Sequence, residues 1–404
     1  MLDAKTIEII KSTVPVLEVH GQTITKNFYQ TMFKNHPELL NVFNHANQRQ
    51  GKQPTALANA VYAAAAHIDR LEEILPVVRG IAQKHRALGI QPEHYPIVGQ
   101  NLLAAIKTVL GDAATDEILD AWGKAYGVIA DVFISVEAEM YRETEEKKGG
   151  WRGFRRFVVE RKVPESDVIT SFYLKPEDGN EIASYAPGQY ITVRVKPEGQ
   201  EYTHLRHYSL STAPGQPYYR ISVKREDAAE DRPAGIVSTY LHNRIGEGDV
   251  LELSAPAGDF TLDQTQSLPL VLLSGGVGLT PMVSMLETVL QSGAKREVVY
   301  IHAARSGKYH AMQEHIAEHA QTHGNLSSYT VYETPESGES SDKTGYIDLP
   351  WLKTVATADS DFYFCGPVPF MKAIRRALKE WGVPDERIHF EFFGPADSLE
   401  DTLN

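Results

Sequence analysis

Three short runs of residues carry the types that redox chemistry needs, and they follow one another along the chain. In Leu75-Pro-Val-Val-Arg-Gly-Ile-Ala-Gln-Lys-His85, a histidine closes a run with helical spacing. Val78, Ile81 and Ala82 precede it by seven, four and three residues, so the imidazole shares their apolar face and points inward. Gly89 is expected to end this helix. Further on, Arg206-His207-Tyr208-Ser209 lies in a strand-rich region. It offers a guanidinium for a diphosphate, a ring to stack on an isoalloxazine, and a hydroxyl that can reach a flavin ring nitrogen. Last comes Gly276-Val277-Gly278-Leu279-Thr280-Pro281, between the apolar strand Leu270–Ser274 and the helical run Met282–Glu287. Glycines at a strand-to-helix turn let a pyrophosphate approach the backbone at a helix N-terminus. In order, these are a metal or haem ligand, a flavin-phosphate site and a nicotinamide-phosphate turn. The sequence therefore reads as an electron path from nicotinamide through flavin to an iron centre.

Other residues bear on each site. Glu137 follows Ala130, Phe133 and Ile134 by seven, four and three residues, which puts a carboxylate on an apolar stripe. Burying a charge is costly unless it is paired, and a carboxylate that holds the far nitrogen of a ligand histidine would orient the ring and make it more basic. Tyr95 could complete that cluster. Tyr29 shares a helix face with Thr25, Met32 and Phe33, while Gln53 opens a stripe continued by Leu57 and Val61. A phenol and an amide at the mouth of an apolar pocket could hydrogen-bond a partly negative oxygen ligand. Each of these residues also has an ordinary reading: a satisfied core histidine, an exposed helical carboxylate, a rim amide. Pro187-Gly-Gln-Tyr190 supports the flavin site one strand before Arg206. Gly235–Leu241 supplies a helix start that could face a phosphate. Cys365-Gly-Pro367 closes the strand Asp361–Phe364. Arg305 could meet a nucleotide 2′-phosphate, although exposure alone explains an arginine there.

The elements that position these residues divide into three textures. Residues 1–147 have helical periodicity, with breaks expected near Pro15, Pro37, Pro54, Pro76, Pro92 and Gly111. Glu143–Gly150 is charged and ends in two glycines, which marks a boundary. Residues 151–262 alternate as strands with Pro-Gly and Gly-Glu-Gly-Asp turns. From residue 269 to 404, strands at 270–274, 297–303 and 361–364 alternate with helical stretches, as a parallel α/β sheet requires. A length of 404 residues accommodates these domains. The net charge of −13 disfavours nucleic acid and anionic lipid, which need a basic footprint. One cysteine excludes an intrachain disulfide and any multi-cysteine metal site. With no apolar signal core and no run long enough to span a bilayer, a cytoplasmic protein is expected.

The helical region resembles a globin, and the whole chain resembles the flavohaemoglobins, the bacterial and fungal nitric oxide dioxygenase family. That resemblance implies a multidomain fold: an all-α globin, an antiparallel β-barrel for FAD and an α/β parallel-sheet domain for NAD(P)H. Phe43, in Leu40-Asn-Val-Phe-Asn44, looks like the globin phenylalanine that wedges the haem. His85 matches the proximal iron ligand, Tyr29 and Gln53 the distal pair, and Leu57 the apolar residue over the iron. Tyr95 and Glu137 match the proximal relay, and Lys84 a position that influences haem potential. In the flavin barrel, Tyr190, Arg206, Tyr208 and Ser209 match the family, whereas His207 stands where the family more often has glutamine. Glu391-Phe392-Phe393-Gly394-Pro395 would place an aromatic ring against the flavin, with Glu391 tuning its potential. The resemblance implies haem b, FAD and NADH or NADPH as cofactors. It also implies conversion of nitric oxide and O2 to nitrate by a monomer whose partners are small molecules, with no nucleic acid and no membrane span. Two other functions fit the same parts: a haem-flavin reductase of hydroperoxides, ferric chelates or quinones, and an oxygen-binding or redox-sensing globin.

Overall fold

The computed structural model describes residues 2–43, 52–230 and 233–393. They fall into two compact units, Met1–Phe154 with Arg194–Arg206, and Arg155–Val193 with His207–Gly394.

Among the described residues, five α-helices build the first unit: α1 (Ala4–Asn35), α2 (Lys52–Ala66), α3 (Leu75–Leu88), α4 (His94–Leu110) and α5 (Asp116–Glu146). Capping residues start two of them. Asp3 accepts the N–H of Thr6 at α1, and Thr115 accepts that of Ile118 at α5. Gly89, at φ 81°, ends α3 in the left-handed conformation that a side chain would strain. Pro76 sits in the first turn of α3, where its missing N–H costs no hydrogen bond. Pro15, expected to break a helix, lies inside α1 instead. An interior proline costs about 3 kcal/mol. The face formed by Ile10, Thr13, Leu17, Gly21, Ile24, Phe28 and Met32 is buried along the whole helix and outweighs that cost. The core gathers this face with Ala65 and Ile68, Leu102 and Ile106 of α4, and Trp122 and Ala125 of α5.

After the helices, β1 (Phe154–Pro164), β2 (Ile169–Pro176), β3 (Tyr190–Val195), β4 (His204–Ser209), β5 (Tyr219–Lys224) and β6 (Val250–Ser254) form a sheet in the order β4-β3-β6-β1-β2-β5. An antiparallel bridge from Leu210 to Ile221 and the bond from Ser211 N–H to Arg220 C=O join its two ends, so the sheet closes as a barrel. Helix α6 (Ile236–Arg244) follows β5. A parallel sheet comes next, in the order β10-β9-β8-β7-β11-β12. Its strands are β7 (Leu270–Gly275), β8 (Val298–Ala304), β9 (Leu326–Tyr332), β10 (Lys343–Thr344), β11 (Asp361–Cys365) and β12 (Ile388–Phe390). The expected strands at 270–274, 297–303 and 361–364 are β7, β8 and β11. Helices α7 (Leu279–Gln291), α8 (Gln313–Thr322), α9 (Leu349–Val355) and α10 (Val368–Glu380) connect the strands. Strand order reverses between β7 and β11, and at such a switch point the carboxyl ends of the strands leave a crevice for a ligand. Among the described residues, no helix is long and apolar enough to cross a membrane.

Candidate functional site

His85 sits in the last turn of α3, with its ring 5.8 Å from that of Phe133. Its Nδ1 lies 2.7 Å from Oε1 of Glu137 on α5 and 3.2 Å from the hydroxyl of Tyr95 on α4. The Tyr95 hydroxyl in turn donates to the same Oε1 at 2.6 Å. A carboxylate only accepts, so the imidazole proton belongs on Nδ1 and the lone pair on Nε2, which is the tautomer a metal ligand needs. Glu137 is buried, while Glu139, two residues on, is exposed. Burial, followed by the charge of Glu137, raises the Tyr95 phenol far above its ordinary range, so it remains a donor. Tyr126 positions the trio from behind by donating its hydroxyl to the Tyr95 carbonyl at 2.6 Å. The sequence gives no direct sign of that role. Gly99 is the trace it leaves, since a Cβ there would stand 2.5 Å from the Tyr126 ring.

Across the helical core, Tyr29 meets Phe43 edge-on at 5.8 Å and Phe33 at 5.7 Å, and Leu57 packs against the same cluster. Thr25 donates to the Pro54 carbonyl at 2.8 Å and ties α1 to the start of α2. Gln53, Leu57 and Val61 are half-buried, while the neighbouring Ala58 and Ala65 are fully covered. The Gln53 Oε1 is buried with no hydrogen-bond partner among the described residues. An orphaned acceptor is costly. A proximal imidazole of fixed tautomer and a half-buried apolar stripe at Leu57 and Val61 fit a haem. Lys84 is exposed.

On β4, Ser209 is buried, Arg206 and Tyr208 are half-buried, and the Arg206 Nη1 donates to the Leu205 carbonyl at 2.7 Å. His207 turns to the opposite face. Its Nδ1 lies 2.8 Å from the Thr192 hydroxyl and its ring 4.7 Å from Tyr190. Alternation along the strand thus separates the substituted position from its neighbours. Helix α6 opens at Gly235 with no side-chain cap, and α7 opens at Gly278 likewise. Uncapped N–H groups at the positive end of a helix suit the diphosphates of FAD and of a nicotinamide dinucleotide.

The two nucleotide motifs meet at the switch point. A Cβ on Gly278 would lie 2.1 Å from the Cys365 carbonyl oxygen, and Gly276 has φ 52°, so this turn requires both glycines. Val277 is half-buried, while Leu279, Thr280 and Pro281 are buried in the first turn of α7. Burial, and secondarily the Glu391 carboxylate, hold the Cys365 thiol well above its usual range, which keeps it protonated and unreactive. Glu391 and Phe392 are half-buried and Phe393 is exposed. Gly394 and Pro395 lie outside the described residues. Arg305 is exposed beside an open cavity of about 550 Å³ that Ser306, Tyr309, Glu333, Thr334 and Glu336 also line.

One cluster escaped the sequence reading. Glu287, on the buried α7, accepts from the Thr212 hydroxyl (2.7 Å), the Ala213 N–H (2.8 Å), the Arg220 guanidinium (3.0 Å) and His315 Nε2 (2.7 Å). Burial alone would raise its carboxyl, but these partners, His315 and Arg220 foremost, bring it down to about 2. The visible signal was an acidic residue in the run Met282-Val-Ser-Met-Leu-Glu287.

A helical haem domain, a flavin barrel and a nucleotide sheet define an oxidoreductase that binds haem, FAD and a nicotinamide dinucleotide. Three family models match in that order: Globin over residues 26–133, Oxidoreductase FAD-binding domain over 156–262 and Oxidoreductase NAD-binding domain over 272–376. The chain is 58% identical over 403 residues to a Flavohemoprotein of Halalkalibacterium halodurans, covering 98% of both chains. It is 50% identical to Flavohemoprotein A of Dictyostelium discoideum, covering 98% of this chain and all of the relative. Among solved structures, a flavohemoglobin of Malassezia yamatoensis with bound FAD and heme superposes with a TM-score of 0.83 at 27% identity, covering 97% of this chain and 100% of that one. This chain belongs to the flavohaemoprotein family.

Proposed function

We propose that the protein is a cytoplasmic, NAD(P)H-dependent nitric oxide dioxygenase. The observation that carries this reading is the buried trio His85–Glu137–Tyr95, with the imidazole N–H 2.7 Å from a carboxylate. A charged acceptor on the far nitrogen makes the histidine a stronger electron donor, a property suited to activating oxygen rather than storing it. The solved FAD/NAD-binding domain of a nitric oxide dioxygenase from Vibrio cholerae supports the assignment. It is 42% identical to this chain and covers 60% of it and 100% of that domain, with a TM-score of 0.56.

When bound, haem supplies the iron at which nitric oxide and O2 combine into nitrate, and FAD divides the hydride electrons of NAD(P)H into single ones. The chain's own residues do the rest. Glu137 and Tyr95 hold the Nδ1 proton of His85 and thereby the orientation of its ring. Tyr29 and Gln53 present polar groups to a partly negative oxygen ligand, and Phe43 and Leu57 keep the surrounding wall apolar. Arg206 anchors a diphosphate with fixed positive charge, aided by the uncapped start of α6. Tyr208 and Ser209 would hold the flavin ring when it is bound. The Gly276–Pro281 turn brings the start of α7 to the dinucleotide, and Glu391 with Phe392 and Phe393 borders its entry.

NADH oxidation in air, with and without nitric oxide, tests the assignment. Strong stimulation with nitrate as the product is expected. Slow oxidation that nitric oxide does not change would replace it with an oxygen-binding globin.

A further inference from the structure

Helix α8 carries histidines at 315 and 319, one turn apart on a single stripe, and His323 follows as its C-cap. The two helical histidines face Glu287, so His315, His319 and Glu287 each offer a ligand atom within 4.8 Å of the other two. We propose that these three residues form a divalent transition-metal site, distinct from the haem, between α7 and α8.

The donor set and its environment both favour it. Two imidazoles and one carboxylate are the borderline nitrogen and oxygen ligands that Zn2+ takes, and three protein ligands leave a fourth position for water. Spacing by four residues stacks His315 and His319 on one face, with ring centroids 4.6 Å apart. The Nε2 of His319 is buried and has no hydrogen-bond partner among the described residues. A buried nitrogen without a partner carries a penalty that a metal bond would remove.

His315 and Glu287 are separated by 2.7 Å, a distance spanned by one proton. A tetrahedral ion needs its ligands about 3.4 Å apart, given bonds of about 2.1 Å. The ion would therefore replace that proton and open the pair by about 0.7 Å. His315 is 37% exposed, so the site has an entry path from solvent, while Glu287 is only 5% exposed. Arg220 already shares the same carboxylate oxygen, at 3.0 Å. It holds Glu287 in place as a second-layer partner and moderates the affinity by offsetting part of its charge. His323 is committed elsewhere, with its Nδ1 2.9 Å from the Thr322 hydroxyl and 3.1 Å from the His319 carbonyl. The site therefore comprises three ligands.

Zn2+ binding to the holoenzyme, stripped of loose metal with EDTA, tests the proposal by equilibrium dialysis and elemental analysis. The wild type should take up one more tightly held Zn2+ than His315→Ala or His319→Gln. Either substitution should weaken that site by at least about a hundredfold. His319→Asp restores a ligand and should bind more tightly than His319→Gln, which separates a lost ligand from a damaged helix. X-ray absorption at the zinc edge, with one equivalent bound, should show two imidazoles. Equal uptake by all the proteins, as scattered surface histidines would give, overturns the proposal. A zinc edge without imidazole scattering overturns it too.

Discussion

Replacing Glu137 with glutamine separates the charge of the carboxylate from its shape. In the wild type a single oxygen receives the His85 N–H at 2.7 Å and the Tyr95 hydroxyl at 2.6 Å, on a residue only 3% exposed. Hydrogen bonds to a charged partner contribute about 1.5–3 kcal/mol and neutral ones about 0.5–1.5. The substitution thus removes about 1 kcal/mol from each bond, or about 2 kcal/mol in all. The amide keeps an acceptor oxygen in place, so packing and haem content should hold. An imidazole held less strongly at Nδ1 gives less electron density to its metal, which favours the ferrous state. If the whole loss falls on the ferric form, the haem potential rises by about 90 mV, since a tenfold change corresponds to about 59 mV for one electron. Spectroelectrochemical titration reads that potential. Resonance Raman of the ferrous protein should show the iron–histidine stretch at lower frequency. A potential shifted by less than about 20 mV together with an unmoved stretch would refute the reasoning, because the carboxylate would then not act through the ring.

Three more outcomes follow from the same structure. Arg206→Ala should lower FAD affinity about ten- to a hundredfold, the usual effect of losing about 1.5–3 kcal/mol of charge-assisted contact, as measured by flavin content after dilution; undiminished flavin would remove Arg206 from the site. Tyr29→Phe keeps the ring contacts to Phe33 and Phe43 and should speed O2 release about ten- to a hundredfold in stopped-flow traces. Nitric oxide consumption should fall while NADH-to-FAD reduction stays unchanged. Glu287 is depressed to about 2 from 4.5, so its stabilising effect is present above pH 4.5 and is lost as pH falls toward 2. Glu287→Gln should therefore lose roughly 3 kcal/mol of stability near neutral pH and show a flatter decline between pH 5 and 3. Urea unfolding followed by flavin fluorescence measures both, and equal slopes for variant and wild type would disprove the assignment.

The parts legible in the sequence were those whose physics is local. The inward face of His85 came from Val78 and Ala82, both buried in α3, and Glu137 stood out as a charge on an apolar stripe. Gly276 and Gly278 marked a turn because such turns need their conformational freedom. Pro15 misled, since a rule about isolated helices ignores the core that α1 lies on. Strands β9, β10 and β12 were not read; β10 and β12 are two and three residues long, too short to show a period. Arg220 and Glu287 are 67 residues apart in sequence. Nothing near either residue announces the other, so the pairing exists only once the barrel and the sheet have folded.

The burial of α7 has a consequence for how the second unit opens. Every residue from Leu279 to Leu290 is buried, and Glu287 fastens this helix to the barrel loop at Thr212 and Ala213. A helix with no solvent face cannot fray independently, because exposing any part of it strips apolar surface from the parallel sheet and unpairs a buried ion pair. The barrel loop and the nucleotide helix should therefore behave as one cooperative element. Their amide hydrogens would exchange with deuterium at a shared rate set by a single opening event, and cutting the chain between residues 262 and 270 would remove that shared protection from the barrel loop and the nucleotide helix.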